Sequence, residues 1–219
     1  MKKLSLVVLI SGSGSNLQAI IDAIESAKLQ AEIKAVISNR PEAYGLSRAQ
    51  QHNIPTIGID HQQFTSREQF DLRLQQEIDA LQPDIIVLAG YMRILTTGFI
   101  DHFFPRILNI HPSLLPKYQG LHTHQRALEN HDRIHGVSIH IVTAELDSGP
   151  VILQGQFDVT AQDDSDSLQQ KAHALEHKMY PLVLSWLSQQ RLLLTSGQPI
   201  FDDETIQQPL SLDNFLEDI

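Results

Sequence analysis

The sequence predicts an α/β fold: a Rossmann-like, mostly parallel sheet with helices on both faces and an antiparallel extension in the C-terminal half. Three observations lead there. Apolar runs of strand length alternate with amphipathic stretches, which is the signature of βαβ units. The early runs are continuous, as strands buried on both faces require. Beyond about residue 107 the pattern changes and in–out alternation returns.

Leu4–Ile10, Ile33–Ser38, Ile54–Ile59 and Ile85–Ala89 are the predicted parallel strands. Between them, Ser15–Lys28 places Leu17, Ile20, Ile21 and Ile24 along one helical face, and Arg67–Leu81 does the same with Phe70, Leu74, Ile78 and Leu81. Pro41, Pro55 and Pro83 fall at joints, where proline is tolerated. Ile107–Ile110 reads as a short strand stopping at His111-Pro112. Val137–Val142 and Val151–Val159, separated by the turn-forming Asp147-Ser148-Gly149-Pro150, read as an antiparallel pair. A long helix is expected from about Ser165 to Gln190.

Composition narrows the chemistry. The 219 residues are 42% apolar, enough for a core without metal or disulfide staples. The absence of cysteine removes disulfides, thiolate zinc sites and a cysteine nucleophile, and fits a reducing, cytoplasmic setting. The opening apolar run Leu4–Ile10 is too short for a signal peptide or a membrane span, so no membrane association is expected. Net charge is −10, and six acids without a single Lys or Arg lie between Gly197 and Ile219. The rest is nearly balanced, with no basic patch for nucleic acid. The acidic end is expected to be solvated and partly disordered.

Three segments could carry chemistry. Ser11-Gly12-Ser13-Gly14-Ser15-Asn16 follows the first strand and opens a helix, so its backbone N–H groups could hold an anion. Leu17 occupies the third glycine of a dinucleotide fingerprint, and no Gly-Lys-Ser/Thr follows, so a single phosphate suits it better. By position alone it reads equally well as a Gly-rich turn capped by Ser15 or Asn16. Asn109 and His111 lie two apart at a strand end and share a face, where an amide and an imidazole could stabilise an oxyanion. The plain alternative is a buried histidine satisfied by backbone. Glu145 to Pro150 could fold a carboxylate back onto His111, or be turn chemistry alone. His122-x-His124 matches no zinc signature and Gly-x-Ser-x-Gly is absent, so no metal and no serine nucleophile are expected.

Five segments in order resemble the folate-dependent formyltransferases that act on glycinamide ribonucleotide: Leu9 to Ile20, Val87 to Leu95, Leu108 to Pro116, Gly120 to His124, and Glu145 to Ile152. The resemblance spans roughly Leu6 to Leu194. It implies one formyltransferase domain over residues 1–196, phosphate-binding in its N-terminal half and folate-binding and catalytic in its C-terminal half, followed by the acidic tail 197–219. The implied reaction moves the formyl group of 10-formyltetrahydrofolate, a co-substrate, onto the amine of 5-phosphoribosylglycinamide, a step of de novo purine synthesis. By resemblance, Asn109, His111 and Asp147 are catalytic. Gly14, Ser15, Asn16 and Glu176 hold the substrate phosphate and ribose. Arg67, Met92, Arg93, Ile94, Leu95, Asn109, Thr143, Ala144, Glu145, Leu146 and Asp147 face folate.

Where the family varies, Ser13 stands for an asparagine, Ala144 for an acidic residue, Ser148 for a glycine and Gln119 for a proline. The last change is expected to matter little. The alternatives are another formyl-transfer or formyl-folate hydrolase enzyme of the same fold, or a non-catalytic sugar-phosphate-binding module. A tRNA-acting relative would be expected to add a basic domain, and this sequence has no such charge.

Overall fold

The computed structural model describes residues 3–218; Met1, Lys2 and Ile219, the outer ends of the expected domain and tail, lie outside the described residues. The chain begins with β1 (Leu4–Ile10), α1 (Ser15–Glu25), β2 (Ala31–Ser38), α2 (Tyr44–Gln51), β3 (Thr56–Gly58), α3 (Arg67–Leu81) and β4 (Ile85–Leu88). It continues through α4 (Thr97–Phe103), β5 (Ile107–His111), α5 (Thr123–Glu129), β6 (Ile134–Ile141), β7 (Val151–Asp158) and α6 (Ser165–Ser188). The short strands β8 (Leu192–Leu193), β9 (Ile200–Phe201), β10 (Glu204–Thr205) and β11 (Leu210–Ser211) follow.

The main sheet runs β11-β7-β6-β5-β4-β1-β2-β3. From β3 to β5 every pairing is parallel, and β6 is antiparallel to both β5 and β7. Successive β1 residues point to opposite cores. Leu6, Val8 and Ile10 pack with Leu17, Ile20 and Ile21 of α1 and with Tyr180 and Val183 of α6. Val7 and Leu9 pack with Phe70, Leu74 and Ile78 of α3 and with Phe99 and Phe103 of α4. Both faces are covered, which is why the apolar runs are unbroken.

Most boundaries fall where expected, and the differences have local causes. α1 ends at Glu25 because Ser26 turns its hydroxyl back onto Asp22 O at 2.7 Å, and Ala27 then takes φ 61°. β3 shrinks to three residues because Ile54 N is held by Ala49 O, behind Pro55. β6 starts three residues earlier than the alternation suggested, at an exposed Ile134.

The expectation of a solvated acidic tail is corrected. Phe201 and Phe215 close on Trp186 at 4.6 and 4.7 Å between ring centroids, Ile206 and Leu212 are buried, and β11 adds to the main sheet beside β7. Asp202 forms a two-point pair with Arg191 at 2.9 and 2.7 Å. Aromatic burial, rather than charge, decides the fate of this segment.

Candidate active site

The switch point of the strand order lies between β1 and β4, where chains leave the sheet in opposite directions and leave a crevice at the carboxyl ends. β1 runs out at Ile10 into the Gly-rich loop, and β4 runs out at Leu88 into Gly90–Leu95. Ser11 ties the two together: its hydroxyl donates to Asn39 Oδ1 at 2.5 Å and accepts the Met92 N–H at 2.7 Å. One buried serine thus fixes the phosphate-loop candidate against the folate-wall candidate.

Gly14 adopts φ 72°, and a Cβ there would lie 2.7 Å from Gly45 Cα, so only glycine fits. Its peptide starts α1 with no side-chain cap, leaving the first N–H groups of the helix without a side-chain partner. Arg48 backs the loop, donating from Nε to Ser13 O at 2.8 Å and from Nη1 to Gln18 Oε1 at 3.3 Å. Asn16 donates from Nδ2 to Glu176 Oε2 at 2.8 Å, which brings α6 onto α1. Burial raises the Glu176 carboxyl above its ordinary range, and the Asn16 amide opposes that shift. Gly14, Ser15, Asn16 and Glu176 are therefore gathered in one place. A groove of about 680 Å³ continues from Ser15 between α1 and α6, lined also by Arg48, His177 and Lys178.

The second cluster is built by β5, β6 and the loop after β6. Asn109 pairs in register with His140, and His111 with Ser138. His140 Nδ1 lies 3.0 Å from Ile141 O, so it carries the proton, and Nε2 accepts from Asn109 Nδ2 at 3.1 Å. Burial lowers the pKa of His140 and keeps it neutral, consistent with that arrangement. The Asn109 amide is thereby oriented, with its second N–H left for another acceptor. His111, 6% exposed, donates from Nε2 to Tyr118 O at 2.9 Å, while Nδ1 faces Asp147 Oδ2 at 3.5 Å. That spacing exceeds a good hydrogen bond and leaves Nδ1 free to serve a third group. Asp147 itself is held by the Gly120 N–H, 2.9 Å from Oδ2. Asp147, distant in sequence from Asn109 and His111, converges on them, 3.5 Å from His111 Nδ1 and 3.7 Å from the His140 Nε2 that holds Asn109.

Around them stand the residues expected to face folate. Met92 and Ile94 are exposed and apolar, Leu95 is buried, and Arg93 lies over the Phe70 ring at 4.4 Å. Thr143 is half-buried, and Ala144, Glu145 and Leu146 are exposed on the opposite loop. Arg67 is exposed in the first turn of α3, one turn before Asp71, which accepts the Thr96 N–H at 2.6 Å at the end of the Met92–Leu95 wall. The structure gives Arg67 this neighbourhood and no direct contact with the wall.

Sequence reasoning missed His140, Arg48 and the Tyr118 carbonyl. His140 had a signal, since alternation puts it on the strand face opposite the core residues Val137, Ile139 and Ile141, the face that Asn109 and His111 share across the pairing; Tyr118 acts through backbone, which composition cannot show. His124 turns to His135 at 3.0 Å rather than pairing with His122. Among the described residues, no group of three His, Cys, Asp or Glu could hold a metal, and no helix is long and apolar enough to cross a membrane.

A helix start whose first N–H groups lack a side-chain partner, on one side of the switch point, and an amide–imidazole–carboxylate set on the other form an arrangement suited to transfer of an acyl-like group to a phosphate-bearing acceptor. The chain belongs to the formyl transferase family, which it matches over residues 4–184. It is similar to the phosphoribosylglycinamide formyltransferase of Escherichia coli K12, with 50% identity over 203 residues covering 93% of this chain and 96% of that protein. Similarity to the human trifunctional purine biosynthetic protein adenosine-3 is 39% over 183 residues, 84% of this chain and 18% of that protein. The solved phosphoribosylglycinamide formyltransferase of Coxiella burnetii, in complex with CHES, superposes with a TM-score of 0.91 at 51% identity, covering 96% of this chain and 99% of that one.

Proposed function

We propose that this chain transfers the formyl group of 10-formyltetrahydrofolate to the amine of 5-phosphoribosylglycinamide, giving formylglycinamide ribonucleotide and tetrahydrofolate. The observation that carries the reading is the convergence of Asn109, His111 and Asp147 beside a crevice whose far side is an uncapped helix start. The neutral amine attacks the formyl carbon directly, and the N–C bond forms as the carbonyl pair moves onto oxygen. The oxyanion is met by the free N–H of Asn109 and, when His111 carries a proton there, by Nδ1. The attacking nitrogen sheds one proton from the tetrahedral adduct, which then collapses, breaking the bond to the folate nitrogen; that nitrogen leaves carrying a proton equivalent to the one the amine gave up. Asp147 faces the His111 cation and supports it as negative charge develops on the oxyanion. No protein nucleophile is required, in agreement with a chain that has no cysteine.

The phosphate is assigned to the α1 start with Gly14, Ser15 and Asn16, and the ribose to Glu176. The folate ring is assigned to Met92–Leu95 opposite Thr143–Asp147, with Arg67 toward its tail. Purified protein mixed with both substrates in EDTA should release tetrahydrofolate and formylated ribonucleotide in equal amounts. Tetrahydrofolate without formylated product would make the chain a formyl-folate hydrolase. Loss of turnover in EDTA, restored by a divalent ion, would overturn the metal-free mechanism.

A further inference from the structure

Three consecutive residues, Tyr118-Gln119-Gly120, mount both partners of the His–Asp pair. Tyr118 O holds His111 Nε2 at 2.9 Å, and Gly120 N holds Asp147 Oδ2 at 2.9 Å. The side chain between them reaches the other side of Asp147. Gln119 Nε2 donates to Asp147 O at 3.2 Å and to Ser148 Oγ at 2.9 Å. Ser148 Oγ donates in turn to Leu146 O at 3.1 Å. Asp147 O can only accept, so the Gln119 amide orientation is settled. The chain of bonds therefore grips the carbonyls on both sides of the Asp147 Cα.

That grip falls on a strained residue. Asp147 sits at φ 49°, in the left-handed region that a non-glycine residue enters at a cost. A loop left to itself relaxes away from such a conformation, and its carboxylate moves with it. The mount is rigid: Arg126 Nη1 donates to Gln119 O at 2.7 Å, and its guanidinium lies over the Tyr118 ring at 5.0 Å. Gln119 is exposed and touches none of the groups assigned to phosphate or ribose.

We propose that Gln119, acting with Ser148, is a positioning residue that holds the Asp147 carboxylate at its station facing His111. The inference rests on the formyl-transfer reading of the site. It reverses the expectation that the residue at 119 matters little.

The test is steady-state kinetics of wild type, Gln119→Ala, Ser148→Gly, the double variant, and Gln119→Ala built on Asp147→Asn, with single-turnover rates where turnover is slow. Gln119→Ala is expected to lower kcat by about 5- to 30-fold, the reach of its two lost side-chain bonds and a slightly displaced carboxylate. KM for the ribonucleotide should stay within about twofold, because the α1 start is untouched. Ser148→Gly should share that loss, so that the double variant is little worse than Gln119→Ala alone. On Asp147→Asn, Gln119→Ala should cost nothing further, since there is no carboxylate left to position. Unchanged kcat in Gln119→Ala would overturn the proposal. So would an equal loss in the Asp147→Asn background, which would mark Gln119 as a general prop of the loop. If wild type itself transfers no formyl group, the function reading fails first, and the two failures are distinguishable.

Discussion

Asn109 Nδ2 lies 3.1 Å from His140 Nε2, and the opposite ring nitrogen of His140 is fixed on Ile141 O at 3.0 Å. The backbone thus chooses the tautomer of His140, and His140 chooses the face that Asn109 shows to the crevice. A side chain buried behind the site sets the direction of a donor within it. His140→Leu should lower kcat by roughly 10-fold or more, a share of the ~10²–10³ that loss of an oxyanion donor costs. KM for the ribonucleotide should be unaffected. A KM effect without a kcat effect would show that His140 serves substrate binding instead.

Arg48 holds the Ser13 carbonyl and stands beside the start of α1. Arg48→Met should raise KM for the ribonucleotide about 10-fold, through a loosened loop and a lost cation, with kcat nearly unchanged. Ser15→Ala should act in the same direction more weakly. If the dephosphorylated substrate is used as well as the phosphorylated one, the loop does not bind phosphate.

The pair His124–His135 sets an acid limit on stability. Burial presses the His135 imidazole down to about 4 and lowers His124 as well. The unfolded chain takes up these protons near pH ~6.5, whereas the folded chain refuses them until near the lowered value. Stability should therefore fall as pH drops through the window from about 6.5 to about 4, and this contribution should level off below it. Urea midpoints at pH 7 and pH 5 measure the fall, and His135→Phe should flatten the slope between them. An equal slope in the variant would place the acid sensitivity elsewhere.

The closing segment should behave as part of the core. Removing residues 198–219 strips Phe201 and Phe215 from Trp186 and Leu212 from the main core. With about 1.5–3 kcal/mol for each large apolar side chain, a loss of at least ~3 kcal/mol is expected. Thermal denaturation of the truncated chain checks this; a Tm matching the full chain would restore the solvated-tail expectation.

The sequence carried the sheet because β1, β2 and β4 are buried on both faces, and continuous apolar runs are the direct trace of that burial. It carried Asn109 and His111 because a strand puts alternate residues on one face. It could not carry the tail, since two-residue strands have no period and acids mask the buried Ile206 and Leu212 and the half-buried Phe201 and Phe215. Nor could composition alone reveal that Tyr118, Gln119 and Gly120 mount the His–Asp pair. Two of those three contacts are made by backbone atoms, whose partners depend on how the loop folds rather than on which side chains it bears.

In the proposed reaction His111 and its partners act on the reacting carbonyl rather than on binding. Single-turnover formyl transfer by His111→Asn, with both ligands' dissociation constants measured on the same sample, tests it most directly. The chemical step should fall at least ~10²-fold while both constants stay within a few-fold of wild type. Transfer at the wild-type rate, or a rate loss matched by lost binding, would contradict it.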